Sequence, residues 1–416
     1  MLDRVKNTYH EFPLKFWVLV VATFIDRVGG TLIFPFFSLY VTERFGVGMT
    51  QAGVLLGIFS ISSFVGSLVG GALTDKFGRR GMVIFGLVFS ALSSLSMGFV
   101  NELSVFYLLA VLVGLLSNVA GPARQAMVAD MLPEEKHAEG YGVLRVAGNL
   151  AWIVGPTIGG FLAAKSYLLL FVLDAVSSLI TAAIVYKLVP ETKPVASDEQ
   201  QQESVLETLV GYRHVVADKL YMAFLILSML MLIVYQQMYN TLSVYLRDVH
   251  GVSTQGYGFM LSLDAATVVV LQFWVTRRIK DSPPMLMMVA GTLFYLVGFT
   301  MYGFVATYAL FVVAILFITA GEMIVMPVGQ ALVARLAPEE MRGRYMAFFS
   351  LAWTIPSTVG PWAAGMVMDN YDPNWVWYGG GIICAVAAAG FYALHLATRS
   401  RFAADAKQEG EAAVSG

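Results

Sequence analysis

Long apolar runs follow one another along almost the whole chain, and they limit what it can fold into. Hydrophobic residues make up 58% of the 416 positions and charged residues only 13%, about half of what an ordinary soluble protein carries. A helix that crosses a bilayer needs about 20 mostly apolar residues. The sequence therefore predicts an all-α integral membrane protein with twelve spans, at residues 14–40, 50–74, 81–99, 103–131, 137–164, 166–188, 219–247, 255–278, 284–304, 307–335, 339–367 and 372–397.

The basic residues fall mainly on one side of these predicted spans. With the amino terminus in the cytoplasm, twenty of the 26 Lys and Arg residues lie on the cytoplasmic side and only Arg44, Lys165 and Arg247 lie outside. Basic loops favour the cytoplasm, which predicts a multi-pass protein of the cell (inner) membrane with both termini inside. The first run contains Asp26 and Arg27 and is too long for a cleavable signal peptide.

The two halves of the chain repeat each other at a constant offset. Identical residues recur 205 positions apart, and paired Pro, Gly and Glu-Glu in one register are hard to obtain by chance: Pro122/Pro327, Gln125/Gln330, Pro133/Pro338, Glu134/Glu339, Glu135/Glu340, Gly155/Gly360, Pro156/Pro361, Gly160/Gly365, Gly46/Gly251 and Gly53/Gly258. Parallel repeats of this kind suit alternating access to a site near the membrane midplane. We predict two pseudo-symmetric six-helix bundles at 1–189 and 219–398, a cytoplasmic linker with an amphipathic helix at 190–218, and a disordered cytoplasmic tail at 399–416.

A charged turn separates the second and third spans. Residues 71–80, GALTDKFGRR, contain one acidic and three basic side chains, too many to be buried unpaired. Asp75 can accept hydrogen bonds from a helix amino terminus, and Arg79 and Arg80 can hold acids such as Asp130. Charges that only enforce topology are the alternative, but they would not need the glycines of this turn.

This turn has the pattern G-x3-D-[RK]-x-G-R-[RK], which resembles the signature loop between helices 2 and 3 of the major facilitator superfamily. The resemblance extends from the first span to the twelfth. It implies the fold of that family and a loop that braces the cytoplasmic side when a transporter faces outward. The gating role is carried to Gly71, Asp75, Gly78, Arg79, Arg80 and Asp130. Residues 279–284, the equivalent stretch of the second half, lack the pattern, so the brace is predicted to be asymmetric.

The fifth span contains a glycine-rich segment at residues 148–160. Gly148, Gly155 and Gly159 share one side of the helix, and Pro156 removes a backbone donor, so the segment can bend and let another helix approach. Its GP-x-x-GG core resembles the motif of antiporter members of the superfamily. Gly155 and Pro156 are accordingly candidate gating residues, with a pure packing role as the alternative.

Four ionisable residues fall well inside predicted spans: Asp26 and Arg27 in the first, Arg145 in the fifth and Glu322 in the tenth. A carboxyl that is alternately wet and dry can load and release a proton. Glu322 and Asp26 are the candidate proton sites, and Arg145 could compete with the proton or meet a charged substrate. A static Arg27–Glu322 ion pair is the alternative.

The context of these residues is mixed. Residues 320–327 around Glu322 resemble the helix 10 acid segment of some multidrug efflux members. Residues 109–114 lack the arginine that many proton-coupled relatives carry there, so Arg145 or Arg27 would have to take its place in proton coupling. Asp174, Asp264 and Arg124 lie nearer the ends of their spans, where charge is cheaper, and receive no role.

A group of aromatic and amide side chains marks the candidate substrate site: Tyr235, Gln236, Tyr239, Asn240, Asn149 and Trp152. Aromatic faces with a few amides suit a flat, partly apolar ligand, and such faces also attract cations. An interhelical or lipid-facing role is the alternative.

Other function classes lack their signals. Walker A, HExxH and GxSxG motifs are missing, and Cys384 is the single cysteine, so no enzyme, metal site, cofactor or nucleic-acid partner is predicted. Within the family the chain looks closest to drug:proton antiporters. We therefore expect a monomeric, proton-driven exporter of amphipathic or cationic compounds, with transport of one nutrient or metabolite class (sugar, amino acid or organic anion) as the alternative.

Overall fold

The computed structural model describes residues 11–117, 119–192 and 212–415, and their regular secondary structure is helical. We number the α-helices in chain order: α1 Leu14–Ile33, α2 Phe37–Phe45, α3 Met49–Phe77, α4 Arg79–Phe99, α5 Leu103–Ser117, α6 Gly121–Met131, α7 His137–Ala163, α8 Tyr167–Leu188, α9 Lys219–Asn240, α10 Leu242–His250, α11 Thr254–Ile279, α12 Pro284–Phe304, α13 Tyr308–Leu336, α14 Arg342–Phe349, α15 Leu351–Asn370 and α16 Trp375–Ser415.

Eleven stretches of the described residues are long and apolar enough to cross a bilayer. They correspond to eleven of the twelve predicted spans. The predicted span 339–367 is divided at Ser350 into α14 and α15. Arg342 and Arg344 lie on α14, and α15 mixes apolar residues with polar ones such as Thr354 and Asp369, so neither helix reaches the apolar length of the others.

The predicted repeat is confirmed in the helix boundaries. α2 and α10 begin and end 205 residues apart, and so do α4 and α12. Gly46 and Gly251, which follow α2 and α10, both have φ of 63°, a left-handed conformation that glycine adopts without steric cost. The short helical turns Glu134–Lys136 and Glu339–Met341 keep the same offset. These helix boundaries therefore occur at equivalent positions in both halves of the chain.

The repeat differs where helices are interrupted. The second half of the fourth predicted span forms a separate helix, α6, which begins at Gly121 with Pro122 in its first turn. The equivalent helix α13 is continuous through Pro327. Conversely, α7 is continuous where α14 and α15 are separated. These interruptions decide how the side chains after each break are turned.

The chain divides into two compact units. The first contains the described residues up to 192 together with Gln236–Val270 and Ser357–Pro373. In it, α1 packs on α7 and α8, α4 packs on α8, and α3 packs on α5. The second contains the described residues of Gln202–Tyr235, Leu271–Pro356 and Asn374–Gly416, and there α12 packs on α13 and α16. The domain limits drawn from sequence at 189 and 219 stay a prediction.

The segments predicted to lie outside the membrane differ from expectation in one place. The helix α16 continues through most of the tail at 399–416, as far as Ser415, and this tail contains five Ala residues, which favour helix. The predicted amphipathic helix of the linker lies largely outside the described residues.

Candidate transport site

The first unit contains a cavity of about 920 Å³ among α1, α4, α6, α7 and α8. Its charged lining consists of Asp26, Arg27, Arg124, Arg145 and Asp174. Charged groups are costly inside an apolar helix bundle. A water-accessible cavity at this position is therefore what makes five of them tolerable.

Asp26 forms an ion pair across the cavity wall. Arg124 Nη1 lies 2.6 Å from Asp26 Oδ2, and Ser178 donates a hydrogen bond to the other carboxylate oxygen at 3.3 Å. Arg124 was placed near the end of its span and received no role from sequence. Because the helix breaks before Gly121, Arg124 lies on the separate helix α6. The length of the predicted span does not reveal that Arg124 lines the cavity.

Arg27 and Arg145 add two further cations to the cavity. Neither lies within 4 Å of a carboxylate of the described residues. The two acids of the lining, Asp26 and Asp174, therefore face three arginines, and one of those acids is already paired with Arg124. The cavity of this unit carries an excess of positive charge.

Asp174 is the most buried of these charged residues. Only 6% of it is exposed, and the hydroxyl of Ser94 donates a hydrogen bond to Oδ2. Gly29 allows α1 to approach this carboxyl, because a Cβ there would lie 2.7 Å from Oδ1. The sequence indicates no role for Asp174, because the position of a residue along its predicted span is the only measure of its depth in the membrane that a sequence provides.

Aromatic rings form one wall beside these charges. Phe34 and Trp152 line the cavity, with ring centroids 6.1 Å apart. Tyr239 packs on both, 5.2 Å from Trp152 and 6.1 Å from Phe34. Asn149 lines the same cavity one helical turn before Trp152. The structure thus brings together Asn149, Trp152 and Tyr239 of the predicted substrate group, and adds Phe34.

The remaining predicted substrate residues lie in other surroundings. Asn240 is buried and donates a hydrogen bond to the carbonyl of Gln236 on its own helix, at 3.1 Å. Tyr235 belongs to the second unit, where it stacks on Tyr295 with centroids 5.5 Å apart and meets Trp353 edge-on. Their contact with substrate stays a prediction.

Glu322 lies on α13 in the second unit and is half-buried. The preceding residue, Gly321, allows a close approach of α12, because a Cβ there would lie 2.7 Å from the Gly291 carbonyl and from the Tyr295 ring. Tight packing on one side of α13 therefore fixes where the Glu322 backbone lies. Its role as a proton site stays a prediction.

The predicted contact between the charged turn and Asp130 is present. Arg79 Nε lies 3.2 Å from Asp130 Oδ2, and Thr192 donates to the same oxygen at 3.0 Å. Arg80 donates to the carbonyl of Tyr186 and lies over its ring, 5.0 Å from the centroid. The charges of this turn hold α4, α6 and the end of α8 together.

Glu191 is a further member of this cluster that the sequence did not indicate. The backbone N–H groups of Arg79 and Arg80 donate to its carboxylate at 2.8 and 3.2 Å. A carboxylate at a helix amino terminus is stabilised by the helix dipole. Gly78, with φ of 89°, begins the helix with a conformation that disfavours a side chain. The surroundings of Gly71 and the side chain of Asp75 lie outside what the structure describes, and the gating role of the whole cluster stays a prediction.

At the other end of α3, segments from the two sequence halves meet within the first unit. A Cβ on Gly53 would lie 2.5 Å from the Pro361 carbonyl carbon, and one on Gly160 would lie 2.7 Å from the Thr254 carbonyl oxygen. Gly155 faces Thr31 of α1, whose hydroxyl donates to the Ala151 carbonyl at 3.2 Å. The glycine-rich segment of α7 therefore packs closely against helices on two sides.

Comparison with known proteins identifies the family to which this chain belongs. The sequence profile described as Major Facilitator Superfamily matches residues 19–327 and 256–415, and the chain belongs to this family of membrane transporters. Its helices superpose on those of a mutant form of the nucleoside transporter NupG with a TM-score of 0.80 at 14% identity, over 91% of this chain and 99% of that one.

Three relatives are similar over most of their length. The MFS-type transporter YttB of Bacillus subtilis (strain 168), itself uncharacterized, is 29% identical over 86% of this chain and 89% of its own. A Na(+), Li(+), K(+)/H(+) antiporter of Planococcus maritimus is 26% identical, with coverage of 83% and 87%. The multidrug resistance protein MdtH of Shigella dysenteriae serotype 1 (strain Sd197) is 23% identical, with coverage of 88% and 90%.

Proposed function

We propose that this transporter works by alternating access and exports amphipathic compounds in exchange for protons. The observation that carries the proposal is the cavity of the first unit, where an aromatic wall adjoins ionisable groups of both signs. Such a site can hold an apolar body and orient a polar group at once. The cation/proton antiporter relative supports exchange against protons, and the multidrug resistance relative supports export of drug-like compounds.

The two ends of α3 support alternating access. One end is closed by contacts between sequence halves, at Gly53 and Pro361. The other end carries the Arg79–Asp130 cluster, whose described contacts join helices of the first half. We assign the closed end to the outside of the cell membrane and both termini to the cytoplasm, since the basic residues favour that orientation. The protein would act as a monomer, with the proton gradient as its energy source and no cofactor.

The charge of the cavity favours a second candidate, transport of an organic anion. Three arginines face two acids, and Arg124 is already paired with Asp26. Arg27 and Arg145 remain to bind a carboxylate, sulfonate or phosphate group by charge-assisted hydrogen bonds. Export of lipophilic cations would need a further acid to outweigh them.

Two dyes with one ring system separate the candidates. Binding of a cationic rhodamine and of a sulfonated rhodamine to the purified protein would be titrated by fluorescence anisotropy. Arg145→Gln would weaken binding of the sulfonated dye about tenfold if this arginine meets an anion, and would leave or strengthen binding of the cationic dye. The exposed Arg278→Gln variant is the matched control. If Arg145→Gln weakens binding of neither dye, Arg145 is not part of the binding site.

Proton coupling is tested by flux into proteoliposomes under an imposed pH gradient. We expect Glu322→Gln and Asp26→Asn, each measured separately, to lower gradient-driven uptake of the dye that binds. Asp281→Asn is the control, because this acid is exposed and pairs only weakly with Lys280 at 3.8 Å. Wild-type flux in both variants would contradict both proton-site assignments and leave the family membership untouched.

A further inference from the structure

Asp174 has surroundings that differ from those of every other charged residue in the cavity lining. It lies on α8 with 6% of its surface exposed, yet it reaches the cavity. Its described polar partner is the hydroxyl of Ser94 on α4, itself only 4% exposed. A hydroxyl can donate to a carboxylate and can equally accept from a protonated acid. This site therefore accommodates both states of the carboxyl.

No cation of the described residues lies within 4 Å of Asp174. The helices packed against α8 are α1, α4 and α7. Asp26 on α1 lines the same cavity as Asp174 and is another acid. Arg27, Arg124 and Arg145 also line the cavity, but Arg124 is held at Asp26.

The two acids are thus placed differently. A buried carboxylate without a cation is expensive in an apolar bundle, and a neighbouring carboxylate adds repulsion. Asp26 escapes this cost through its 2.6 Å ion pair. Asp174 has no such ion pair among the described residues, and the cavity gives water a route to deliver a proton to it. Two carboxyls with such different surroundings are suited to different roles.

We propose that Asp174 is the carboxyl of the first unit that binds and releases the coupling proton, with Ser94 as its hydrogen-bond partner, while Asp26 is paired with Arg124. The proton comes from water in the cavity, forms the O–H bond of the neutral acid, and returns to water when the carboxylate is restored. This inference rests on the proposed proton coupling, and it moves the proton from Asp26 to Asp174.

A spectroscopic test needs no substrate. Infrared spectra of the purified protein would be recorded through a pH titration, in H₂O and D₂O, and the C=O band of protonated carboxyl groups followed. We expect Asp174→Asn to remove a component of this band, Ser94→Ala to shift the pH at which that component disappears, and the control Asp281→Asn to leave it unchanged. A band identical in Asp174→Asn and the wild type would overturn the proposal.

A flux test shows whether binding of this proton drives transport. We expect Asp174→Asn to lose gradient-driven dye uptake at least tenfold while keeping exchange of labelled for unlabelled dye at equal pH, and Asp174→Glu to restore part of the driven flux. Equal loss of driven uptake and of exchange would overturn a coupling role for this residue. If no dye is transported by the wild type, the function proposed above fails, whereas the infrared result still decides whether Asp174 binds a proton.

Discussion

Two helix crossings in the first unit are copies of one another, and they are held by different chemistry. At the α3–α15 crossing, Gly53 meets Pro361 and Gly365 meets Met49. At the α7–α11 crossing, Gly258 meets Pro156 and Gly160 meets Thr254. Each of these contacts is the other shifted by 205 residues. The repeat has therefore preserved close backbone approach at both crossings.

The polar contacts do not repeat. At α3–α15, the Asp369 carboxylate accepts hydrogen bonds from the backbone N–H groups of Met49 and Thr50, at 2.9 and 2.8 Å. The position equivalent to Asp369 is Ala164, which has no such group. At α7–α11, Thr254 instead donates its hydroxyl to the Gly160 carbonyl at 3.0 Å. Steric fit is shared by the two crossings, whereas the charge-assisted contact belongs to only one.

The largest expected effect comes from breaking the shared feature. Gly53→Val and Gly258→Val each place a side chain where the partner backbone already lies. Overpacking of this kind costs about 1–3 kcal/mol, which corresponds to an opening of the crossing on the order of 5- to 150-fold.

Ser60 lies 2.8 Å from Ser357 at the α3–α15 crossing, and Ser262 accepts a hydrogen bond from Thr157 at 2.7 Å at the α7–α11 crossing. Cysteines introduced at Ser60 and Ser262 would report the opening by their rate of maleimide labelling, since the native Cys384 is fully buried.

Both valine variants should act alike, each at its own crossing. Gly379→Val is the control, because a Cβ there meets nothing within 4 Å. If the labelling rates at Ser60 and Ser262 stay at the wild-type level in both variants, the glycines are not what lets these crossings close.

The shared features were the ones that sequence could predict. A 205-residue repeat of Gly and Pro is visible without any structure, and the glycine-rich segment that contains Pro156 and Gly160 is predicted to let another helix approach. The repeat also includes Gly53, whose close approach to Pro361 is seen only in the structure. The Arg79–Asp130 contact was also predicted, because the family resemblance pointed to that turn.

The unshared features could not be predicted in the same way. Asp26 meets Arg124 from 98 residues away, and Asp369 meets Thr50 from 319 residues away. Neither pair has a partner at the equivalent repeat position, so periodicity carries no information about it. Such contacts depend on how separate helices are rotated against each other, and α6 owes its separate start to a local break at Gly121.

A smaller effect is expected from removing the charged contact at α3–α15. Asp369→Ala leaves the first N–H groups of α3 without this acceptor, and loss of a helix cap costs about 1 kcal/mol, a roughly fivefold increase in labelling at Ser60. Asp369→Asn should have an intermediate effect, because an amide oxygen still accepts but the charge is lost. Equal labelling in the aspartate, asparagine and alanine proteins would show that this cap does not hold the crossing.

Thr254→Val should open the α7–α11 crossing less than Asp369→Ala opens its counterpart. The variant removes one neutral hydrogen bond, worth about 0.5–1.5 kcal/mol, while the Gly160 carbonyl keeps the N–H of Ala164 at 3.3 Å. We expect labelling at Ser262 to rise about twofold. A rise larger than that of Asp369→Ala at Ser60 would reverse the ranking of the two crossings.

The smallest effect is expected in the pH dependence of stability, at His250, the last residue of the short helix α10. Burial lowers the pKa of His250 from its ordinary 6.5, and its Nε2 lies 3.1 Å from the Tyr245 hydroxyl. The unfolded chain therefore takes up this proton at a higher pH than the folded protein does. Its contribution to stability is complete above about pH 6.5 and is lost as the pH falls through the lowered pKa.

The equivalent residue in the first half, Phe45, cannot titrate, so His250→Phe should remove this part of the fall in Tm between about pH 7.5 and pH 5.5. An unchanged fall in the variant would assign the acid sensitivity to other groups.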